Sequence, residues 1–297
     1  MTAGPYTAAT GLIERFAGAY CCAVPVSPRD DGLFGPASVT WQLSADLSAP
    51  VAGLRSLLLQ ALHPLMMVGV NQHSGWRLDP VGRLAATSAY TATITYGDRD
   101  SVRRAAQRVR TIHRQVRGTD TVTGLRYAAG DPALLLWVHA ALVESALAAI
   151  ALFGTPLPGP DADRYVSEMR VAAELLGVPH EVIPPDVAAL ERYMRAVRPQ
   201  LRRSPAAAEV MAWLLDPPGM EEEIAELWQP VREAAVVALP GWARDMYRCP
   251  APVRLTPRRR TEIRQALGVL DAAILGEPGV LQARQRLTLR VRAARRR

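Results

Sequence analysis

The chain has 297 residues, of which 49% are hydrophobic and 21% are charged, so it can bury a sizeable core and is not a disordered polypeptide. Its formal charge is +7, and the 35 residues counted as Lys or Arg are all Arg. Much of the positive charge lies at 258–260 and 284–297, without the zinc-ligand or aromatic patterns of nucleic-acid-binding domains. We interpret it as a solvated basic tail, and docking of nucleic acid through this tail is the less favoured alternative.

The three cysteines form no CxxC motif, and their odd number is untypical of a disulfide framework. The first residues lack the basic and apolar regions of a signal peptide. The longest apolar run, at 133–153, is interrupted by His139 and Glu144, which favours a buried core helix over a membrane span. We therefore expect a cytoplasmic protein without a membrane span.

Helix signals dominate the chain, and no segment shows the sustained alternation that is typical of strands. We expect an N-terminal extension at 1–40, which includes a short amphipathic segment at 11–20. An almost wholly apolar helical segment should follow at 44–70, kinked or ended by Pro64. We predict one all-α domain at 41–276 and a basic C-terminal tail at 277–297.

Two consecutive helices are predicted in the middle of this domain. Asp79, followed by proline, provides a helix cap and a first helical residue, and this helix should run to about Tyr96. Asp98 should cap the next helix, with Gly118 as its C-terminal stop.

The same Asp-Pro signal at Asp131 opens the apolar helix, which should end at Phe153. The later helices are expected at 161–177, 186–198, 205–215, 221–238 and 257–274.

Most of the five histidines have a structural explanation. His180 follows a proline, and we predict that it lies in a surface loop. His63 and His73 lie ten residues apart without a partner carboxylate, so a shared metal site is disfavoured. His139 should be a core histidine that bonds to backbone or to Glu144.

His113 is the candidate for a function. Arg110, His113 and Arg117 have i, i+3, i+7 spacing and would share a helical face, while Arg83 and Thr87 are four residues apart on the preceding helix. A solvated face with an incidental histidine explains the spacing equally well. A phosphate or carboxylate ligand would use the arginines alone, whereas a haem would use both the imidazole and the arginines.

Several blocks resemble one family of oxygenases. They are HPLMMVGVNQHSGWRLDPVGRLAAT at 63–87, the Tyr-Gly pair at 96–97, RxxHxxxR at 110–117, WVHAALVES at 137–145 and LPGWARDMY at 239–247. In order and spacing they are similar to the family of the MpaB-type oxygenases and the latex clearing proteins, which are rubber oxygenases.

The resemblance implies an all-helical, globin-like core around haem b. By it, His113 would be the proximal iron ligand, and Arg83 and Thr87 would match the RxxxT pair near the haem. Arg110 and Arg117 would match the arginines that flank the axial histidine, and a later arginine matches Arg244. These arginines would neutralise the propionates or hold the haem-facing helices together.

The chain also departs from the rubber oxygenases. Ala86 stands where they have a distal lysine, and no Asp or Glu occurs at 47–78, where they carry a glutamate. Our first hypothesis is therefore a haem-b-dependent oxygenase that uses O2 on an apolar or aromatic small molecule rather than on rubber. The alternative is a haem-binding or haem-free helical ligand-binding protein without turnover.

Overall fold

The computed structural model describes residues 30–217, 222–249 and 255–275, and this part of the chain is almost entirely helical. The prediction of an all-α fold is confirmed. The helices are α1 (Val39–Ser44), α2 (Ala49–Ala61), α3 (Pro64–His73), α4 (Pro80–Tyr96), α5 (Arg99–Gln115), α6 (Pro132–Phe153), α7 (Gly159–Glu174), α8 (Val187–Ala196), α9 (Pro205–Leu215), α10 (Glu222–Ala238), α11 (Gly241–Tyr247) and α12 (Pro257–Leu275). Short 3₁₀ turns lie at His180–Val182 and Arg198–Gln200, and two strands, β1 (Arg117–Thr119) and β2 (Arg126–Ala128), pair antiparallel.

The predicted helix starts at Asp79, Asp98 and Asp131 are confirmed. Each carboxylate accepts a hydrogen bond from a backbone N–H two or three residues further along, and so satisfies one of the free donors at the helix start. Pro64 begins α3, and a bend of 100° separates α2 from α3, as the position of the proline predicted. The segment at 11–20 and the tail at 277–297 lie outside the described residues.

The predicted end of α5 at Gly118 was wrong. The helix ends at Gln115, Val116 is extended, and Arg117 begins β1. Gly118 is paired with Tyr127 across the two strands, and a Cβ atom on this glycine would lie 2.8 Å from the tyrosine hydroxyl. Glycine is therefore needed here for close approach of an aromatic side chain, and Arg117 does not share a helical face with His113.

The core lies around α2 and α6, which pack on each other along their length. Helices α9 and α10 cover the other side of α2, while α7, α8, α10 and α12 surround α6. By length and composition α6 could cross a membrane, and so could α2 and α3 if this sharply bent pair formed one span. The enclosure of α6 by other helices is the environment of a core helix. A globin-like arrangement stays a prediction.

A buried arginine joins three of these helices. The Arg55 side chain on α2 is almost fully buried and forms a salt bridge with Glu144 on α6. Its Nη1 also donates to Ser145 Oγ at 2.7 Å, and its Nε donates to the carbonyl oxygen of Ala238 at the end of α10 at 2.8 Å. Each of the three guanidinium nitrogens of Arg55 thus donates at least one hydrogen bond within the core.

Candidate functional site

Helices α4 and α5 are joined by the short turn at Gly97 and Asp98 and pack on each other. The charge of Arg83 acts on His113 and that of Arg110 acts on Tyr90, so the two helices run antiparallel as a hairpin. Because the hairpin folds back on itself, the first turns of α4 and the last turns of α5 lie at the same end. Arg83 lies in the first part of α4, and His113 lies in the last turn of α5. The two predicted site residues are therefore brought together, although they are thirty positions apart.

The His113 imidazole is neutral at neutral pH. Burial lowers its pKa, and the positive charge of Arg83 lowers the pKa further. The His113 ring makes no hydrogen bond with any described residue. Both ring nitrogens are thus without a partner among these residues, and a neutral imidazole is the form that binds metal ions.

The Arg83 guanidinium also has no hydrogen bond or ion pair within the described part of the chain. Its side chain is accessible to solvent, yet the surrounding protein is dense enough that burial lowers its pKa. A guanidinium group without a partner among the described residues is suited to a carboxylate or phosphate ligand.

Tyr90 is a third polar residue on the same face of α4, and sequence reasoning missed it. It follows Thr87 by three positions and Arg83 by seven, which is the spacing of one helical face. Its hydroxyl is buried and has no partner among the described residues. Burial raises the pKa of Tyr90 to about 12, although the charge of Arg110 acts in the opposite direction, so the hydroxyl remains a donor at neutral pH.

The remaining predicted residues of this hairpin have protein partners. Thr87 Oγ1 donates to the Arg83 carbonyl oxygen at 3.0 Å, within its own helix. Arg110 Nη1 donates to the carbonyl oxygen of Leu175, just after α7, at 2.9 Å, and its Nη2 donates to Gln107 Oε1 at 2.7 Å. Arg110 therefore ties α5 to the rest of the bundle.

A comparison with known protein families identifies the family of this chain. The family model of the ER-bound oxygenase mpaB/B' and rubber oxygenase catalytic domain matches residues 41–272. The chain belongs to this oxygenase family. No curated protein and no solved structure gives a significant match. Family membership supports an oxidoreductase that takes O2 and a substrate.

Two predicted site arginines of this oxygenase belong to other elements, β1 and α11. Arg117 is exposed on β1. Arg244 on α11 donates to the carbonyl oxygens of Val237, at 3.1 Å, and Leu239, and so caps the C-terminal end of α10. The described contacts thus do not bring Arg117 and Arg244 into the group formed by Arg83 and His113, and their binding of a cofactor stays a prediction.

His63 and His73, for which a shared metal site is disfavoured by sequence, lie at opposite ends of α3. His63 directly precedes the helix and His73 ends it, so about 15 Å of helix separates them. Within the described ranges, no group of three or more His, Cys, Asp or Glu side chains could hold a metal ion. His180 is exposed and pairs with Glu174, as expected of a surface residue.

His139 differs from its prediction. It makes no hydrogen bond with a described residue, because Glu144, its proposed partner, is already paired with Arg55. Burial lowers the pKa of His139 to about 4, although the side chain is only half-buried by accessible surface. The imidazole of His139 is therefore neutral at neutral pH.

A shallow concavity of 690 Å³ lies on the other side of α5. It is lined by Arg103, Arg104, Gln107, Arg108, Thr111 and Ile112. These positions point away from the face that carries His113, and all belong to one helix. This surface is therefore distinct from the candidate site.

The unpartnered groups of the oxygenase fit a haem. A neutral imidazole can ligate iron, a guanidinium group can pair with a propionate, and a phenol can donate a hydrogen bond to an anion or to a polar ligand. His113, Arg83 and Tyr90 offer these three groups from two adjacent helices, and none is used within the described protein.

Proposed function

We propose that this oxygenase depends on haem b, acts in the cytosol and oxidises or oxidatively cleaves an apolar or aromatic small molecule. The observation that carries the proposal is a set of three polar groups on α4 and α5 that have no partner in the described ranges, in a chain of an oxygenase family. Haem, when bound, supplies the iron at which dioxygen is bound and activated.

The residues have distinct roles in this proposal. His113 would hold the iron, because burial and Arg83 keep its imidazole neutral. Arg83 would pair with a propionate, and Arg110 would keep α5 in place through its bond to Leu175. By family resemblance, Arg83 and Thr87 are also the candidates for catalytic residues, and Arg117 and Arg244 for further cofactor contacts.

The expected substrate is small and apolar. The helices that would line its pocket, α2, α3 and α6, are rich in aliphatic residues. Ala86 in place of a lysine and the lack of carboxylates at 47–78 separate this chain from the rubber oxygenases, which argues against a polymer substrate.

The visible spectrum of the purified protein tests the cofactor and its ligand. Protein produced with haem available should show a Soret band, and His113→Ala should lose or shift this band because the iron loses its imidazole. His180→Ala is the matched control, since His180 is exposed, pairs with Glu174 and has no role in the proposed site. A His113→Ala protein with full haem occupancy and an unchanged spectrum would remove the ligand assignment.

A second candidate is a haem-carrying or haem-free binding protein without turnover. The missing lysine and carboxylate favour it, because they leave few groups for proton transfer. Oxygen uptake separates the two functions. The reduced haem protein should consume O2 faster when an apolar substrate is added, whereas a binding protein should show the same uptake with and without it.

A further inference from the structure

The position of His113 relative to Arg83 depends on the open end of the α4–α5 hairpin. The opposite end is closed covalently by the turn at Gly97 and Asp98. At the open end, α4 begins at Pro80 and α5 ends at Gln115, so both site residues lie where the two helices can separate most easily. A contact that closes this end would set the distance between the imidazole and the guanidinium.

Helix α5 buries few of its own residues, and none of them near the open end of the hairpin. Its buried residues are Val102 and Ala106, both in its first half. Among the described elements, α4 is the one that packs closely on α5. Apart from the bond between Arg110 and Leu175, the last turns of α5 therefore depend on the segment that follows.

That segment is fastened to α3 through Tyr127 on β2. His73 Nε2 lies 2.9 Å from the Tyr127 hydroxyl, which donates to Gln72 Oε1 at 2.5 Å. The tyrosine ring packs over Gly69, where a Cβ atom would lie 3.4 Å from the ring. The buried ring and its two hydrogen bonds thus join β2 to the last two turns of α3.

The same contact reaches the end of α5. Val116, the residue directly after α5, accepts a hydrogen bond from the Ala129 N–H at 2.8 Å. Its side chain lies 3.7 Å from the Cβ position of Gly69, beside the Tyr127 ring. The chain that leaves α5 is therefore held against α3, the helix that leads into α4.

We propose that Tyr127, His73 and Gln72 form a latch that closes the open end of the α4–α5 hairpin and sets the separation of Arg83 and His113. These three are positioning residues, since they act on the site through the helix ends and need not touch the cofactor. The proposal rests on the proposed haem function for its effect on the cofactor, but the latch itself is a property of the protein without cofactor.

Tyr127→Phe tests the latch because it removes one hydroxyl and keeps the packed ring. Haem dissociation from the holoprotein, measured by transfer to excess apomyoglobin, should become about thirtyfold faster, the change expected for two lost hydrogen bonds. Tyr247→Phe is the matched control, since its hydroxyl donates to the Leu58 carbonyl oxygen at 2.6 Å in the core. The control should lower the melting temperature but leave the rate of haem loss unchanged.

His73 supplies a second test of the same latch. His73→Ala should accelerate haem loss about fivefold, less than Tyr127→Phe, because it removes one of the two bonds of the hydroxyl. The double variant should be no faster than Tyr127→Phe, in which the bond to His73 is already lost. His73→Gln, which can still donate to the hydroxyl, should recover most of the wild-type rate. Additive effects of the two single variants would overturn the latch.

Amide hydrogen exchange of the cofactor-free protein separates failure of the latch from failure of the haem proposal. Exchange at 81–84 and 111–116 should be faster in Tyr127→Phe than in wild type, with no change at these positions in Tyr247→Phe. A wild-type protein that takes up no haem refutes the proposed function, and the exchange rates then decide the latch alone. Unchanged exchange at both segments in Tyr127→Phe refutes the latch, whatever the haem content.

Discussion

The buried Arg55 salt bridge offers the sharpest test of how this fold is held together. Arg55→Met keeps a long apolar side chain but removes the guanidinium group. The carboxylate of Glu144, the hydroxyl of Ser145 and the carbonyl oxygen of Ala238 then lose a donor at the centre of the bundle. Two of these acceptors, Glu144 and Ala238, come from different helices, so the loss affects the junction of α2, α6 and α10.

The expected cost follows from the burial of the pair. Removal of one partner from a buried ion pair costs about 3–5 kcal/mol. The Arg55 side chain is only 2% exposed, whereas that of Glu144 is 27% exposed, so water can partly solvate the stranded carboxylate. We therefore expect about 3 kcal/mol for Arg55→Met, at the lower end of this range. The double variant Arg55→Met/Glu144→Leu should cost less than Arg55→Met, because it leaves no unpaired charge.

Urea unfolding at pH 7, followed by far-UV circular dichroism, measures these free energies. Arg77→Met is the matched control, because Arg77 pairs with Glu209 on the surface, where both side chains are nearly half exposed. This control should cost less than about 1 kcal/mol. If Arg55→Met costs no more than Arg77→Met, or if the double variant is less stable than Arg55→Met, the buried pair does not have the role assigned to it.

Two further predictions concern single residues. The pKa of His139 is about 4 against its ordinary 6.5, so its contribution to stability is complete above pH 6.5 and is lost as the pH falls toward 4. Between pH 7 and pH 5, the wild type should lose about 2 kcal/mol more unfolding free energy than His139→Gln, and parallel pH profiles would contradict the burial of a neutral imidazole. Asp79→Ala should destabilise the protein by about 1 kcal/mol through loss of the α4 cap, while Asp79→Asn should retain most of the stability. Thermal unfolding compares the two variants, and equal losses would show that the cap bond to Gly82 contributes nothing.

The helix boundaries that depend on local chemistry could be predicted. Asp79 and Asp131 each precede a proline, and such a cap acts within one helical turn whatever the rest of the chain does. The end of α5 could not be predicted in this way. Tyr127 on β2 packs against Gly118 on β1 and Gly69 on α3. The glycine at position 118 therefore reflects a tertiary contact and not a helix stop.

The candidate site shows the same division. Arg83 and His113, which lie together in the structure, could be chosen as candidates because charged and imidazole groups on regular helical faces are conspicuous in a sequence. Tyr90 lies on the face of Arg83, but a tyrosine in an apolar helix is ordinary until its hydroxyl is found without a partner. The pairing of Glu144 with Arg55 rather than with His139 joins residues 89 positions apart, and such a choice depends on the packing of whole helices.

The bond between Arg55 and Ala238 also has a consequence for biosynthesis. These residues are 183 positions apart, so at about 5–20 residues per second roughly 10–40 s pass between the synthesis of one and the other. During this time α2 lacks the helix that covers one of its sides, because α10 has not yet been made. The face of α2 that α10 later covers, with the Arg55 guanidinium at its centre, thus stays uncovered during this part of synthesis even after α6 has been made.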